Sequence, residues 1–385
     1  MHTAATGRLQ RWDIFCTVID NLGDIGVTWR LARQLAAEFG LEVRLWVDDL
    51  AALQRLWPEA ADADCQRLAG VEVRHWRTPF AAGVSVADVV IEAFACELPP
   101  EYRADMLRRQ AAGAPPLWIN LEYLSAEAWI EECHGLASPQ PDGLNKYFYF
   151  PGFSSRSGGL LRERCLIGAR DHFLKEGSAR LLAELGVDAP AARLLSLFCY
   201  PDAPLAALLD KLTATGAPWH CLVPEGPLLK PLAELLGYPE LAGGRPARCG
   251  PLTLQPIPFL RQDRYDQLLW SCDLNLVRGE DSLVRAIWAG KPFIWHIYRQ
   301  QDGAHWPKLD ALLDRYLRTA PTALHVPLRA LWHKWNGADA DSSGEELLTG
   351  PLFDIWRHTA DSWAGALAQQ QDLASGLVQF CANRV

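Results

Sequence analysis

Residues 18–35, VIDNLGDIGVTWRLARQL, join an apolar run to a segment of helical periodicity through a short turn. A strand, a glycine turn and a helix often form a dinucleotide site, but that site requires the spacing G-x-G-x-x-G. This turn has only Gly23 and Gly26. Asp20 and Asp24 add negative charge at the start of the helix, where a phosphate would otherwise bind. The turn therefore argues against a phosphate and presents carboxylates to a neutral or cationic group.

Length and charge restrict the class of protein. The 385 residues exceed the roughly 250 to 300 at which single cores stop growing, so two domains are expected. A formal net charge of −9 argues against nucleic acid as a partner. The N-terminal MHTAATGRLQ has no signal-peptide core, and no apolar run reaches the roughly 18 residues of a membrane span. We expect a cytoplasmic protein without a membrane partner.

The cysteines and the D-x-D patterns do not predict a metal site, and the tryptophans predict a large core. None of the ten cysteines forms C-x-x-C, and Cys16, Cys199 and Cys221 lie in apolar strand-like runs, which predicts reduced, buried thiols. Most of the sixteen tryptophans should be core or domain-interface residues. A D-x-D pattern occurs at 62–64 and again within 338–346, but both lie in Ala-rich, solvated segments. We therefore expect no metal at either position.

The alternation of apolar runs and helical patterns predicts an α/β protein. The first half begins with WDIFCTVI, a helix near Val27 and the strand EVRLWV, and it continues to PLWINLEYL. A Gly-, Ser- and aromatic-rich segment at about 125–170 is interpreted as an active-site loop and linker. A second alternating series runs from ARLLSLFCY to KPFIWHIY. We predict two Rossmann-like domains, 1–165 and 166–345, that face each other across a ligand-binding cleft.

The densest chemistry lies in DLNLVRGEDSLVRAIWAGKPFIW, residues 273–295. A strand precedes Gly279, and Ser282 is expected to begin a helix whose free amide groups, with Arg278, would bind a diphosphate. Glu280 would repel a phosphate and is better suited to sugar or ribose hydroxyls. The alternative is purely structural: Asp281 and Ser282 form an ordinary N-cap, and Arg278 and Glu280 form a surface ion pair.

Two further segments could hold a nucleobase. Phe198 and Tyr200 end one predicted strand and share a face of it, because side chains alternate with period two. Gln255 and Phe259 follow another strand. Aromatic rings can stack on a base while an amide reads its edge. Core packing is the alternative for each of the four residues.

Four segments, taken together, resemble one family. They are DNLGDIG at 20–26, FCY at 198–200, LQPIPFLRQDRYDQLLW at 254–270 and RGEDSLVRAIWAGKP at 278–292. In order and spacing they resemble the bacterial protein-arginine rhamnosyltransferases that modify elongation factor P. The similarity extends over essentially the whole chain and departs at none of these motifs.

The resemblance implies a two-domain GT-B glycosyltransferase that inverts the anomeric carbon of dTDP-β-L-rhamnose without metal or cofactor. The acceptor would be an arginine at a loop tip of elongation factor P, which assists translation through proline runs. The resemblance implies that Asp20 and Asp24 are catalytic and that the last helices, 346–385, return to the N-terminal, acceptor-binding domain. It assigns donor binding to Phe198, Tyr200, Gln255, Phe259, Arg278, Glu280, Asp281 and Ser282.

This acceptor suits the carboxylate turn. A guanidinium is a cation and a poor nucleophile, so one carboxylate can orient it while the other accepts its proton. We expect Asp20 to be the base, because it would end the first strand and be the most fixed point of the turn. Asp24 would be held by amide groups and serve as a charge clamp. Alternatives are a GT-B transferase of lipopolysaccharide sugars, a non-catalytic nucleotide-binding module, and a turn shaped by Asp20 and Asn21 without catalytic function.

Overall fold

The computed structural model describes residues 9–20, 22–189, 191–241, 244–300, 302–338 and 345–384. The chain divides into two compact units. The first contains Met1–Arg164 and Ala368–Val385, and the second contains Cys165–Leu367.

The first unit is built on an eight-stranded sheet. Its strands are β1 Arg11–Cys16, β2 Glu42–Val47, β3 Cys65–Leu68, β4 Val71–His75, β5 Val89–Ala93, β6 Leu117–Leu121, β7 Ala137–Pro139 and β8 Asn145–Tyr149. Its helices are α1 Gly23–Phe39, α2 Leu50–Leu56, α3 Pro100–Ala111, α4 Ile130–Cys133 and α14 Leu373–Ala382. The strand order is β3-β4-β2-β1-β5-β6-β8-β7, and only the edge strands β3 and β7 pair antiparallel. The parallel centre confirms the α/β prediction.

Strand register brings three loops to one edge of this sheet. Phe15 of β1 pairs with Glu92 of β5, and Glu92 pairs with Asn120 of β6. The chain therefore leaves β1, β5 and β6 at the same edge, on neighbouring strands about 4.8 Å apart. The carboxylate turn follows β1 at this edge.

Two sequence-based boundaries in the first unit are wrong. The segment at 125–170 is not only a loop and linker, because it contains β7, β8 and α4 and the beginning of a further helix at Leu166. The run NKYFY forms β8 and pairs with β6. The local Gly- and Ser-rich composition gives no sign of this pairing. Helix α1 begins at Gly23 rather than near Val27.

The second unit is built on a six-stranded sheet. Its strands are β9 Arg193–Leu197, β10 Trp219–Pro224, β11 Ala247–Cys249, β12 Leu252–Ile257, β13 Leu274–Arg278 and β14 Phe293–His296. Its helices are α5 Leu166–Glu176, α6 Ser178–Glu184, α7 Leu205–Ala214, α8 Leu229–Leu236, α9 Gln262–Ser271, α10 Gly279–Ala289, α11 His305–Leu317, α12 His325–Trp335 and α13 Gly350–Ala368, with 3-10 turns at Thr322–Leu324 and Glu345–Leu348. The order is β11-β12-β10-β9-β13-β14, with β11 antiparallel. This is the second doubly wound domain that the sequence predicts.

The predicted C-terminal segment 346–385 is divided between the two units at Leu367 and Ala368. Within the first unit, the Asp372 carboxylate accepts hydrogen bonds from Gln34 Nε2 at 3.1 Å and from the Ser375 backbone N–H at 3.0 Å. The second bond caps the N-terminus of α14. The Asp372 carboxylate therefore links the start of the last helix to α1.

Most tryptophans lie in the cores, as the sequence predicts. Cys16, Cys199 and Cys221 are buried, and all ten cysteines have free thiols. Burial raises the pKa of these three thiols, which keeps them protonated. They therefore act as small apolar core residues.

Candidate active site

The carboxylate turn lies beyond the end of β1. The strand ends at Cys16, so Asp20 does not end it, contrary to the sequence-based expectation. Asp24 lies in the first turn of α1 and is 2% exposed. Its Oδ2 accepts hydrogen bonds from the backbone N–H groups of Ile19 and Asp20, both at 2.8 Å. The amides that hold Asp24 thus belong to the preceding segment, and Asp24 fixes the path of that segment.

The two glycines of this motif both lie inside α1 rather than in the turn before it. Gly26 is an ordinary helical residue whose N–H donates to Leu22 O at 3.0 Å. Gly23 has a steric function, because a Cβ at this position would lie 2.7 Å from Asp20 Oδ2. The Gly23 N–H also donates to the Asp20 carbonyl at 2.6 Å. The absence of a side chain at Gly23 allows the half-buried Asp20 carboxylate to lie against the start of the helix.

In the second unit, β13 and α10 meet at Gly279. This residue has φ +62°, which a glycine adopts without strain, and its carbonyl accepts the indole N–H of Trp295 at 2.9 Å. Helix α10 begins here and Arg278 is its N-cap residue. Ser282 is therefore the fourth helical residue and not the cap, so the sequence-based helix start is three residues late. The first-turn amide groups belong to residues 279–282.

The predicted aromatic residues converge on Arg278. Its guanidinium lies 4.7 Å from the ring centroid of Phe198 and 4.9 Å from that of Tyr200. Phe259 contacts Phe198 edge-on, with ring centroids 6.4 Å apart. Strands β9 and β13 are parallel neighbours, so residues that follow them emerge together. The structure thus places one cation and three predicted rings in a single cluster.

The acidic residues of this cluster each have a partner. Lys308 Nζ donates to Glu280 Oε1 at 2.8 Å, and Gln262 Nε2 donates to Asp281 Oδ2 at 3.1 Å. The lysine offsets the charge of Glu280 close to the helix N-terminus. An anion at α10 would therefore experience less repulsion than the sequence RGED suggests.

The Gln255 side chain forms hydrogen bonds within the second unit. Its Nε2 donates to the carbonyls of Leu185 and Gly186 at 3.0 and 3.2 Å, and its Oε1 pairs with His220 Nε2 at 2.8 Å. Both amide hydrogens are used, so the side chain has no donor left for a base edge. The Gln255 side chain therefore links β12 to β10 and to the loop after α6.

Three residues of the second-unit cluster were missed by the sequence interpretation. Lys308 comes from α11, Tyr265 from α9 packs on Phe198 with centroids 5.6 Å apart, and His296 ends β14. His296 Nδ1 accepts the Tyr200 backbone N–H at 3.2 Å. Burial lowers the pKa of His296 to about 4, and this effect outweighs the opposing charge of Asp202. The position of His296 at a strand end was the available signal.

The described residues contain neither a metal-binding cluster nor a helix suited to span a membrane. Across the described ranges, no group of three or more His, Cys, Asp or Glu side chains could hold a metal ion. Asp62 and Asp64 are exposed, and their Oδ1 atoms lie 4.0 and 3.1 Å, respectively, from Arg77 Nη2. In the second D-x-D segment, residues 339–344 lie outside the described residues. Among the helices described, none is both long and apolar enough to span a bilayer.

Two doubly wound units in one chain, the second with a cation and aromatic rings at its strand ends, have the architecture of the GT-B glycosyltransferases. A solved glycosyltransferase from Rickettsia africae shares this fold at 9% identity, with a TM-score of 0.51 and 96% of each chain covered.

The family follows from closer matches. A sequence profile described as Elongation-Factor P (EF-P) rhamnosyltransferase EarP matches residues 12–382. The protein-arginine rhamnosyltransferase of Pseudomonas putida is 50% identical to this chain over 97% of its length, and the match covers 98% of that relative. The protein-arginine rhamnosyltransferase of Pseudomonas aeruginosa is 51% identical over 97% of this chain, and the match covers 99% of that relative. A structure described as the basis for EarP-mediated arginine glycosylation of translation elongation factor EF-P matches with a TM-score of 0.67 and 36% identity, covering 97% of this chain and 99% of that one. The chain belongs to the EarP family, which confirms the resemblance.

Proposed function

We propose that this protein transfers L-rhamnose from dTDP-β-L-rhamnose, with inversion, to an arginine of elongation factor P. The observation that carries this proposal is the fixed carboxylate of Asp24 beside Asp20 in a member of the EarP family. Its relatives are named protein-arginine rhamnosyltransferases, and the matched structure concerns arginine glycosylation of EF-P. The modified factor would support translation through proline runs.

Two carboxylates match the chemistry of a guanidinium nucleophile. The guanidinium lone pairs are delocalised and its pKa exceeds about 12, so it needs both orientation and removal of a proton as the C–N bond forms. One carboxylate can bind two N–H groups and localise electrons on the attacking nitrogen. The other accepts the proton released when that nitrogen bonds to the anomeric carbon.

The structure changes the reason for choosing the base. Asp20 was preferred as the end of the first strand, but β1 ends at Cys16. The criterion of the most fixed carboxylate now selects Asp24, because it is buried in the first turn of α1 and is held at Oδ2 by two amides of the preceding segment, not by the helix-start amides that the clamp role assumed. We therefore assign proton uptake to Asp24, through Oδ1, and orientation of the guanidinium to the more exposed Asp20. The opposite assignment is the alternative that the experiment tests.

The second unit would bind the donor. Arg278 and the first-turn amides of α10 would hold the diphosphate, with Ser282 adding a hydroxyl donor. Phe198, Tyr200 and Phe259 would surround the thymine, and Glu280, oriented by Lys308, would accept hydrogen bonds from sugar hydroxyls. No step of this scheme requires a metal, so EDTA-treated enzyme should keep its rate.

The function is tested by incubating the enzyme with dTDP-rhamnose and EF-P and locating the added deoxyhexose by peptide mass spectrometry. The anomeric configuration of the product, measured by NMR, tests inversion. Modification of no EF-P arginine would refute the acceptor. A rate that EDTA abolishes and magnesium restores would refute metal independence.

The roles of the two aspartates are separated by kinetics. We expect Asp24→Asn to lower kcat/KM by about 10²- to 10⁴-fold with unchanged dTDP-rhamnose affinity and to remove the acidic limb of the pH–rate profile. Asp20→Asn should raise KM for EF-P and retain that limb. The reverse pattern would assign the base to Asp20, and full activity in both variants would remove the turn from the mechanism.

Donor binding is tested separately by calorimetry with dTDP. Arg278→Ala and Ser282→Ala should each weaken binding by roughly 1.5 to 3 kcal/mol if their hydrogen bonds to the diphosphate are charge-assisted. Arg248→Ala is the matched control, because Arg248 lies in edge strand β11, which is separated from β13 by three other strands. Unchanged affinity in both test variants would place the diphosphate elsewhere.

A further inference from the structure

The segment after β5 has an unusual backbone. Phe94, Ala95 and Glu97 have φ values of +57°, +54° and +53°, in the left-handed region that residues with a side chain rarely adopt. A residue with a side chain is strained in this conformation relative to the right-handed one. Three of them within four positions persist only if the surrounding structure enforces the conformation.

Hydrogen bonds from neighbouring strands enforce it. The Phe94 N–H donates to the Leu121 carbonyl at 2.7 Å, and the Ala95 N–H donates to the buried Asn120 Oδ1 at 3.1 Å. On the other side, the Cys96 thiol lies 3.3 Å from the Phe15 carbonyl near the end of β1. The segment is therefore fastened both to β6 and to the strand that leads to the carboxylate turn.

This backbone places an aromatic pair on the sheet edge. The ring of Phe94 stacks on that of Tyr123, with centroids 4.4 Å apart and an interplanar angle of 15°. Phe94 is 8% exposed, whereas Tyr123 is 36% exposed and follows the end of β6. The strained segment thus supports a tyrosine that remains accessible to a ligand.

The aromatic pair and the carboxylate turn follow neighbouring strands at the same edge of the sheet. Phe94 follows β5, which is the direct neighbour of β1, and Tyr123 follows β6, which is one strand further. Strands β5 and β6 therefore lie about 5 and 10 Å from β1, the strand that precedes Asp20. A guanidinium offers N–H groups at its edge to carboxylates and a flat face to an aromatic ring. Carboxylates and a supported ring at one sheet edge are complementary to these two features.

We propose that Tyr123, supported by Phe94, stacks on the guanidinium of the acceptor arginine and favours arginine over other residues at this position. This inference rests on the proposed function, since it names a residue that binds the acceptor. A lysine ammonium has no planar face to stack on, so the ring discriminates by shape as well as by charge. The strain at Phe94 and Ala95 is explained as the cost of presenting the ring.

The test is a double-mutant cycle on binding to EF-P, measured by calorimetry in the absence of donor. The enzyme variants are Tyr123→Leu and Tyr123→Phe, and EF-P is used unchanged and with its modified arginine replaced by methionine. Tyr238→Leu is the matched control, because Tyr238 is 39% exposed and belongs to the second unit. We expect Tyr123→Leu to weaken binding of unchanged EF-P by about 3- to 30-fold. We expect much less effect on the methionine variant, and near-normal affinity in Tyr123→Phe.

Each other outcome overturns the proposal. Equal weakening of both EF-P forms would mean that Tyr123 contacts another part of the acceptor, and failure of Tyr123→Phe would assign the effect to the hydroxyl. Thermal unfolding and dTDP affinity should match the unchanged enzyme, and a loss of either would show a structural role instead. If the unchanged enzyme does not modify EF-P, the proposed function fails; if it does and Tyr123→Leu binds normally, only this inference fails.

Discussion

Replacing Gly23 by alanine should lower activity without lowering stability. The new Cβ would lie 2.7 Å from Asp20 Oδ2 and 3.3 Å from its Cγ, whereas unstrained heavy-atom contacts begin at roughly 3.5 Å. The Asp20 carboxylate must therefore withdraw by about 0.8 Å. A misplacement of about 1 Å at a reacting group can cost 10²-fold, so we expect kcat/KM on EF-P to fall by about 10- to 100-fold.

The expected stability change has the opposite sign. Gly23 is helical and its φ is not in the left-handed region, so alanine should stabilise α1 by about 0.5 to 1 kcal/mol, less the cost of moving Asp20. The assay compares kcat/KM, dTDP affinity and thermal unfolding. Gly168→Ala is the matched control, since Gly168 is in the first turn of α5 and its Cβ would meet no atom within 4 Å. Unchanged kcat/KM in Gly23→Ala would refute a catalytic role that depends on the position of Asp20.

Three further predictions concern single residues. Gln255→Ala should lower the free energy of unfolding in urea by about 1 to 3 kcal/mol, because His220 and two carbonyls lose their partner, while calorimetry shows unchanged dTDP affinity. The pKa of His296 is about 4 in the folded protein and near 6.5 in the unfolded chain, so the protein loses stability as the pH falls from about 6.5 to about 4. In His296→Asn, the melting temperature should fall less over this pH range than in the unchanged protein. Ala95→Gly should raise the free energy of unfolding by about 0.5 to 1 kcal/mol by relieving the left-handed strain.

Local sequence patterns predicted the elements well where a single period dominates. The run EVRLWV was predicted as a strand and is β2 from end to end. The helix starts were predicted less well, at Val27 and Ser282 instead of Gly23 and Gly279. Both helices begin with a glycine, which local propensity treats as a turn residue, and tertiary hydrogen bonds such as Trp295 Nε1 to the Gly279 carbonyl hold the junction.

The sequence by itself determined the α/β class, the two doubly wound domains and the family, because these depend on hydrophobic periodicity and on motifs contiguous along the chain. It also identified Asp20, Asp24 and Arg278 as candidates, because charged residues after a strand are visible locally. Only the tertiary structure decided which side chains meet. Strand pairing placed Arg278 over two rings, His220 and two carbonyls turned Gln255 inward, and Asn120 enforced the backbone that supports Tyr123. Each of these contacts joins residues from separate strands, and the period of one strand carries no information about its neighbour.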